Sequence, residues 1–167
     1  MPKVTSLGHI GMYVRDIERS VAFYRDIFGL QVSDRSPRGA VFMTAQDRLA
    51  EHHELLLAPG RNDDGNVNVL QQISFHCASL RDIKDFYQVF VENKVPINRV
   101  VSHGNTVSIY AQDPDGNSVE VYWSTGIDVP QPFGKPMDLS KSEAEIMGQL
   151  EKIISEWRQE GSGGKLN

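Results

Sequence analysis

The chain has little cysteine, no long apolar run and no excess of positive charge, and each shortage excludes a class of protein. Its single cysteine, Cys77, allows no intrachain disulfide and no cysteine-rich zinc site. No stretch approaches the roughly 20 apolar residues of a membrane-spanning helix, and the first ten residues lack the apolar core of a signal peptide. The net charge of −5 argues against a nucleic-acid or membrane partner. We therefore expect a cytoplasmic protein with neither partner.

The chain does contain one pattern of elements that occurs twice: a strand, a helix and then three strands. In the first copy a strand covers 4–14, Asp16 opens a helix, and strand-like runs follow at 30–34, 39–45 and 53–58. In the second, a strand covers 70–77, Ser79 caps a helix, and strand-like runs follow at 97–102, 106–112 and 118–123. We predict an α+β protein with a first module at 1–60 and a second at 68–125.

The remainder of the chain lies outside the repeat. Residues 126–160 comprise a connector rich in proline and glycine and a third helix, which begins near Ser142 with Glu145 completing a capping box. Residues 161–167 are rich in glycine and are expected to be a disordered tail.

Residues suited to binding a metal occupy equivalent places in the two copies. His9 and His76 lie in the two first strands, and Glu54 and Glu120 lie in the two last strands. A pseudo-two-fold axis between the copies would bring these positions together. Neutral imidazole and carboxylate suit a divalent first-row metal, and buried charge is costly unless it is paired or metal-bound. We predict that His9, His76 and Glu120 bind a divalent metal.

At this point the chain resembles a known group of proteins. Leu7-Gly8-His9-Ile10, the helix with Phe23-Tyr24 and the run Asp113-Pro114-Asp115-Gly116-Asn117 are similar to motifs of the vicinal oxygen chelate superfamily. That superfamily includes glyoxalase I, fosfomycin and bleomycin resistance proteins and type I extradiol dioxygenases. The resemblance covers roughly residues 5–124. It implies paired βαβββ modules that form a cupped mixed sheet around the metal.

The stretch from Val101 to Glu120 resembles the extradiol dioxygenase signature in particular, through His103, Tyr110 and Glu120. The pair His52-His53 is a second point of similarity. The resemblance implies a small Fe(II)-dependent ring-cleaving enzyme, with Mn(II) as an alternative metal, that acts on a catechol-type diol with O2 in aromatic hydrocarbon catabolism. It also implies that Tyr110 hydrogen-bonds a catechol oxygen, that His53 is the acid–base residue and that His103 helps to hold the oxygens of the intermediate.

Three questions stay open at this stage. Glu54 could be a fourth ligand beside His9, His76 and Glu120, as in a glyoxalase I-like isomerase or lyase with Ni(II) or Zn(II). The chain could instead be a bleomycin-resistance-like protein that binds a small molecule without turnover. Strand alternation would place His52, rather than His53, on the face of Glu54.

Assembly and substrate are predicted only in outline. We expect a homodimer, because modules of this size leave sheet edges that need cover. Whether the modules pair within one chain or across the dimer stays open. Few strongly basic residues mark the expected cup, which favours a neutral or modestly polar substrate.

Overall fold

In the computed structural model, which describes residues 6–63 and 70–163, the chain forms two units. Unit 1 comprises Met1–Val69 together with Asp113–Asn117. Unit 2 comprises Leu70–Gln112 together with Ser118–Asn167. Each unit combines a mixed sheet with helix, so the predicted α+β class is confirmed.

Unit 1 is a four-stranded sheet with one helix. Its elements are β1 (Ile10–Val14), α1 (Ile17–Asp26), β2 (Gln31–Arg35), β3 (Val41–Thr44) and β4 (Leu55–Pro59). The strand order is β1-β4-β3-β2, with β1 and β4 parallel and the other pairs antiparallel. The carboxylate of Asp16 caps α1 by accepting a hydrogen bond from the backbone N–H of Arg19 at 3.0 Å. Val21 and Tyr24 of α1 are buried in the core of this unit, where each apolar side chain contributes about 1.5–3 kcal/mol.

The first strand is shorter than predicted, which corrects the position of His9. The described ladder begins at Ile10, whose N–H donates to the carbonyl of Glu54, while residues 1–5 lie outside the described chain. His9 is therefore exposed just before β1 instead of lying in the middle of a strand. Because β4 begins only at Leu55, Glu54 and the histidine pair also precede their strand. The residue at which a strand begins depends on where its partner strand offers hydrogen bonds. The sequence of one strand alone does not show that residue.

Unit 2 repeats the pattern and adds to it. Its elements are β5 (Ile73–Cys77), α2 (Leu80–Glu92), β6 (Ile97–Ser102), β7 (Thr106–Gln112), β8 (Ser118–Ser124), β9 (Lys135–Pro136) and α3 (Glu143–Gly163). The strand order is β5-β8-β7-β6-β9, and the parallel pair is β5 with β8. Ser79 caps α2, as predicted, by accepting from the N–H of Asp82 at 3.2 Å. The short strand β9, in the connector, was not predicted.

The turn between β7 and β8 belongs to unit 1, where buried hydrogen bonds hold it. Asp113 accepts a hydrogen bond from the hydroxyl of Tyr24 at 3.0 Å. The fully buried carboxylate of Asp115 accepts from the N–H of Arg15 at 2.8 Å and pairs with the guanidinium of Arg19. Burial, followed by the charge of Asp113 and the hydrogen bond to it, raises the pKa of Tyr24 well above 10.

Helix α3 begins with the predicted capping box. The hydroxyl of Ser142 accepts from the N–H of Glu145 at 3.3 Å, and the carboxylate of Glu145 accepts from the N–H of Ser142 at 2.9 Å. The helix continues through Gly163, so residues 161–163 are helical where a disordered tail was expected, and 164–167 lie outside the described residues. Within 6–63 and 70–163, no helix combines the length and apolar character needed to cross a membrane.

Candidate metal and substrate site

Four polar residues of unit 2 are aligned in one row across four neighbouring strands. Arg99 of β6 lies opposite Tyr110 of β7, Tyr110 lies opposite Glu120 of β8, and Glu120 lies opposite Ser74 of β5. Directly opposite residues share a face of the sheet, so all four side chains are on one side. His76 is two residues beyond Ser74 on β5 and therefore shares that face. We call these five residues the polar face of unit 2.

Glu120 is a buried carboxylate without a cationic partner among the residues that the structure describes. Its side chain accepts hydrogen bonds through Oε2 from the hydroxyl of Ser74 at 2.5 Å and from the amide of Gln72 at 2.9 Å. The residue is 6% exposed, and it forms no salt bridge with any residue of the described ranges. A charge buried beside neutral donors alone is costly, and a divalent cation would offset that cost. With the exposed imidazole of His76 on the same face, this donor set fits a metal that prefers nitrogen and oxygen ligands.

His103 and Tyr110 form a hydrogen-bonded pair. Their neighbours show which atoms of the two side chains carry protons. Nδ1 of His103 lies 2.7 Å from the backbone carbonyl of Phe133, which can only accept, so Nδ1 carries the proton. Nε2 of His103 lies 3.3 Å from the hydroxyl of Tyr110 and can accept from it. Burial raises the pKa of Tyr110, and so do its hydrogen bond to Glu120 and the negative charge of Glu120. The positive charge of Arg99 lowers that pKa. The phenol is therefore a protonated donor at neutral pH.

In unit 1, the histidines before β1 and β4 are grouped together. The rings of His9 and His53 have centroids 4.2 Å apart, and Phe42 packs on His53 at 5.0 Å. Nδ1 of His52 lies 2.9 Å from Nδ1 of His53, but its Nε2 points to Asp34 at 3.8 Å. Burial, and then the nearby His9 and His52, lower the pKa of His53, while Glu51 opposes them. Of the two candidates for the acid–base role, His53 is thus the one against His9.

Glu54 is engaged by the loop between β3 and β4. Its carboxylate accepts from the N–H of Ala45 at 2.8 Å, from the side-chain amide of Gln46 at 3.1 Å and from the hydroxyl of Thr44 at 3.3 Å. These three donors close the loop onto the start of β4. These three hydrogen bonds leave a lone pair of Oε1 for another partner, so Glu54 as a fourth metal ligand stays a prediction.

The described chain does not itself assemble a complete metal site. Throughout 6–63 and 70–163, no three or more histidine, cysteine, aspartate or glutamate side chains are grouped so that they could hold a metal ion. His9 belongs to unit 1, whereas His76 and Glu120 belong to unit 2. The ligand set His9, His76 and Glu120 therefore stays a prediction.

Sequence reasoning overlooked several residues that hold the candidate groups in place. Gln72 and Ser74 are predicted by alternation to share the face of His76, but nothing in that pattern shows that they bind Glu120. The carbonyl of Phe133 reaches His103 from a connector 30 residues away. Arg99 faces Tyr110 only because β6 is irregular between Ile97 and Arg99. The sequence carries no signal for the last two contacts.

The comparison with protein families decides the wider assignment. Residues 6–121 match the model of the Glyoxalase/Bleomycin resistance protein/Dioxygenase superfamily. The chain belongs to this superfamily. The resemblance to this superfamily is thereby confirmed. The matched region contains His9, Glu54, His76 and Glu120.

Individual relatives within the superfamily differ in activity. The chain is 26% identical over 139 residues to a 1,2-dihydroxynaphthalene dioxygenase of Pseudomonas sp. (strain C18). The aligned region covers 80% of this chain but only 44% of that relative. It is 30% identical over 127 residues to the metallothiol transferase FosB of Lysinibacillus sphaericus (strain C3-41), covering 73% of this chain and 84% of the relative. The chain thus spans less than half of the dioxygenase and most of the transferase.

A solved structure supports the fold. The lactoylglutathione lyase from Agrobacterium tumefaciens matches with a TM-score of 0.59 and 24% identity, over 75% of this chain and 100% of that chain. At this identity the likeness concerns the fold alone.

Proposed function

We propose that the protein is an extradiol ring-cleaving dioxygenase that acts on a catechol-type aromatic diol with O2. The observation that carries this proposal is the placement of Tyr110 directly opposite Glu120 with its hydroxyl 3.3 Å from Nε2 of His103. A phenol donor and an imidazole beside a candidate ligand carboxylate suit a substrate with two adjacent oxygens. A simple metal-dependent proton transfer does not need this pair.

Each candidate side chain has a proposed role in this reaction. His9, His76 and Glu120 bind the metal, and two histidines with one carboxylate leave coordination positions open for exogenous ligands. Tyr110 donates a hydrogen bond to one diol oxygen. His53, held against His9 and Phe42, accepts a proton from the diol and later returns one. His103, its Nδ1–H fixed on Phe133, presents Nε2 toward the reacting oxygens.

The metal is proposed to be Fe(II), with Mn(II) as the second choice. A redox-active ion supplies the one-electron chemistry that allows O2 to react with a closed-shell diol. We propose that the protein works in the cytoplasm, in the breakdown of aromatic compounds.

A homodimer is also part of the proposal. Strand β1 is an edge of the sheet of unit 1; Leu7, just before it, is 86% exposed, and Tyr13, within it, is 67% exposed. An edge strand with exposed apolar side chains needs cover. Light scattering on the purified full chain is expected to give the mass of two copies, and a monomer at micromolar concentration would contradict this part.

The direct test is anaerobic loading with Fe(II), followed by catechols and air. O2 uptake and a yellow ring-opened product are expected with the wild type. Tyr110→Phe is expected to reduce kcat by about 10–100-fold, the range of a lost hydrogen bond to a developing charge. Absence of O2 uptake across a broad catechol panel, with metal binding demonstrated, would overturn the proposal.

A second candidate is a metal-dependent lyase or transferase that uses Glu54 as a fourth ligand with Ni(II) or Zn(II). The 84% coverage of the FosB relative, a metallothiol transferase, supports a transferase activity but not a particular number of metal ligands. The same preparation is therefore assayed with a glutathione hemithioacetal and with fosfomycin plus a thiol. Turnover of either, without catechol cleavage, would replace the first proposal. A bleomycin-resistance-like binder is distinguished by ligand binding that survives removal of the metal.

A further inference from the structure

Arg99 lies at the end of the row that contains the candidate ligand Glu120. Its guanidinium carbon is 4.0 Å from the centroid of the Tyr110 ring. The ladder between β6 and β7 shifts register between Ile97 and Arg99, so that Arg99 is paired with Tyr110. Such bulges re-aim side chains, often beside functional sites. The local irregularity therefore places a positive charge over the phenol that the proposed function uses.

The guanidinium of Arg99 is exposed and has no carboxylate partner in the described parts of the chain. Six other arginines form salt bridges with aspartate or glutamate: Arg15, Arg19, Arg25, Arg35, Arg61 and Arg81. In a chain of net charge −5, acidic partners are plentiful, yet the contacts of Arg99 are with Tyr110, through its ring face and its hydroxyl. A guanidinium has five N–H donors, so a hydrogen bond to Tyr110 leaves donors for a carboxylate, which arginine binds in a bidentate manner.

The spacing along the row suits a single aromatic ligand. Neighbouring strands are about 4.8 Å apart, so the Cα atoms of Arg99 and Glu120 are separated by about 10 Å, with Tyr110 between them. A diol that approaches Glu120 and accepts from the Tyr110 hydroxyl lies along this row. A ring substituent on its far side would then meet the guanidinium.

We propose that Arg99 binds an anionic substituent of the substrate, so that the preferred diol is an aromatic carboxylate. The diol part of this inference rests on the proposed function, whereas the binding of the anion rests on Arg99 alone. It replaces the neutral substrate that the scarcity of basic residues suggested. One unpaired guanidinium at the end of the row is enough to select for charge, even though the chain as a whole is acidic.

The competing explanation is that Arg99 only stacks on Tyr110 and steadies the sheet. A stacked pair would lower stability on mutation but would not distinguish ligands by charge. The decisive quantity is therefore the ratio of dissociation constants for two ligands that differ by one carboxylate. Catechol and 3,4-dihydroxybenzoate form such a pair.

The experiment measures both dissociation constants anaerobically, by calorimetry, on the metal-loaded full chain. The wild type is expected to bind 3,4-dihydroxybenzoate at least about 10-fold more tightly than catechol, as a charge-assisted hydrogen bond implies. Arg99→Met and Arg99→Gln are expected to bring the ratio near one, and Arg99→Lys to keep part of it. Arg81→Met, which alters an exposed arginine of α2, is the matched control and is expected to keep the wild-type ratio. Circular dichroism confirms that each variant is folded.

A wild type without preference for the carboxylate, or an Arg99→Met variant that keeps the wild-type ratio, would overturn the inference while leaving the dioxygenase proposal intact. If neither diol binds or is cleaved, the dioxygenase proposal fails, and benzoate is compared with benzyl alcohol on the same proteins. Benzoate binding that is lost in Arg99→Met would uphold the anion site. Equal binding of the two, or none, would overturn it.

Discussion

The two units share one order of elements but keep their candidate chemistry in different places. In unit 2, His76 and Glu120 lie within paired strands: β8 is hydrogen-bonded on both sides, and β5, an edge strand, is hydrogen-bonded to β8. In unit 1, His9, His53 and Glu54 lie just before β1 and β4, in the segments that lead into the strands. A side chain on a paired strand is positioned more accurately than one on a loop. The two units therefore share a framework but place their candidate residues differently within it.

The same difference is visible in what surrounds the two glutamates. Glu120 is held by two neighbouring side chains and is buried on the polar face of unit 2. Glu54 is held by three donors of its own hairpin loop. The first arrangement suits a ligand for an added cation, and the second suits the closure of a loop.

Replacement of the two glutamates should have the largest effect and should separate the units most clearly. Glu120→Gln is expected to weaken Fe(II) or Co(II) binding by more than the roughly 10–100-fold that a supporting residue costs, and to abolish catechol cleavage. Glu54→Gln is expected to change metal affinity by less than about 3-fold, while lost hydrogen bonds cost about 1–2 kcal/mol of stability. Metal titration of both variants checks this. A large loss of metal in Glu54→Gln would favour the four-ligand alternative.

Replacement of His52 and of His53, which are adjacent in the loop before β4, tests which of the two is the acid–base residue. His53→Gln is expected to reduce kcat by about 10²–10⁴-fold, the usual contribution of a general acid–base residue, because His53 lies against His9. His52→Gln should reduce kcat by far less, since its Nε2 faces Asp34. Steady-state O2 uptake with the metal-loaded variants gives both values. A larger loss in His52→Gln would reverse the assignment.

Ser74 tests whether the neighbouring strand β5 orients the proposed ligand Glu120. Ser74→Ala removes the 2.5 Å hydrogen bond to the carboxylate and is expected to weaken metal binding by about 10–100-fold. Ser124→Ala, at the end of β8, is a matched change and is expected to have little effect. Equal affinities for Ser74→Ala and the wild type would show that Glu120 does not depend on this contact.

The smallest expected effect is on the free energy of unfolding, and it compares a tyrosine of α1 with the corresponding tyrosine of α2. Tyr24→Phe in α1 is expected to cost about 1.5–3 kcal/mol in urea unfolding at pH 7, because it removes a buried hydrogen bond to a charged group, Asp113. Tyr87, at the corresponding place in α2, is only half-buried, and Tyr87→Phe should cost less than about 0.5 kcal/mol. Similar costs for the two would remove this distinction between the units.

The contribution of Tyr24 also has a definite dependence on pH. Its pKa is raised in the folded protein by burial and by Asp113, so the folded state keeps a proton that the unfolded state loses above about pH 10. The stabilisation is therefore complete below that pH and declines as the pH rises further. The difference between the wild type and Tyr24→Phe should be smaller at pH 10.5 than at pH 7. An increase would contradict the assigned shift.

Elements that depend on neighbouring residues in the chain were predicted well. The limits of β6 and β7 and the caps Asp16, Ser79 and Ser142 all follow the sequence pattern, because alternation and capping are local effects. Strand starts that depend on a partner were predicted less well, as with β1 and β4.

The amino-acid sequence contains the repeat, the residue types suited to a metal and the family to which the chain belongs, because all three are patterns along the chain. The row that joins Arg99, Tyr110, Glu120 and Ser74 arises from strand register. The choice of His53 over His52 arises from ring packing before β4. Register and packing depend on residues far apart in the sequence, and they appear only once the backbone hydrogen bonds have brought the strands together.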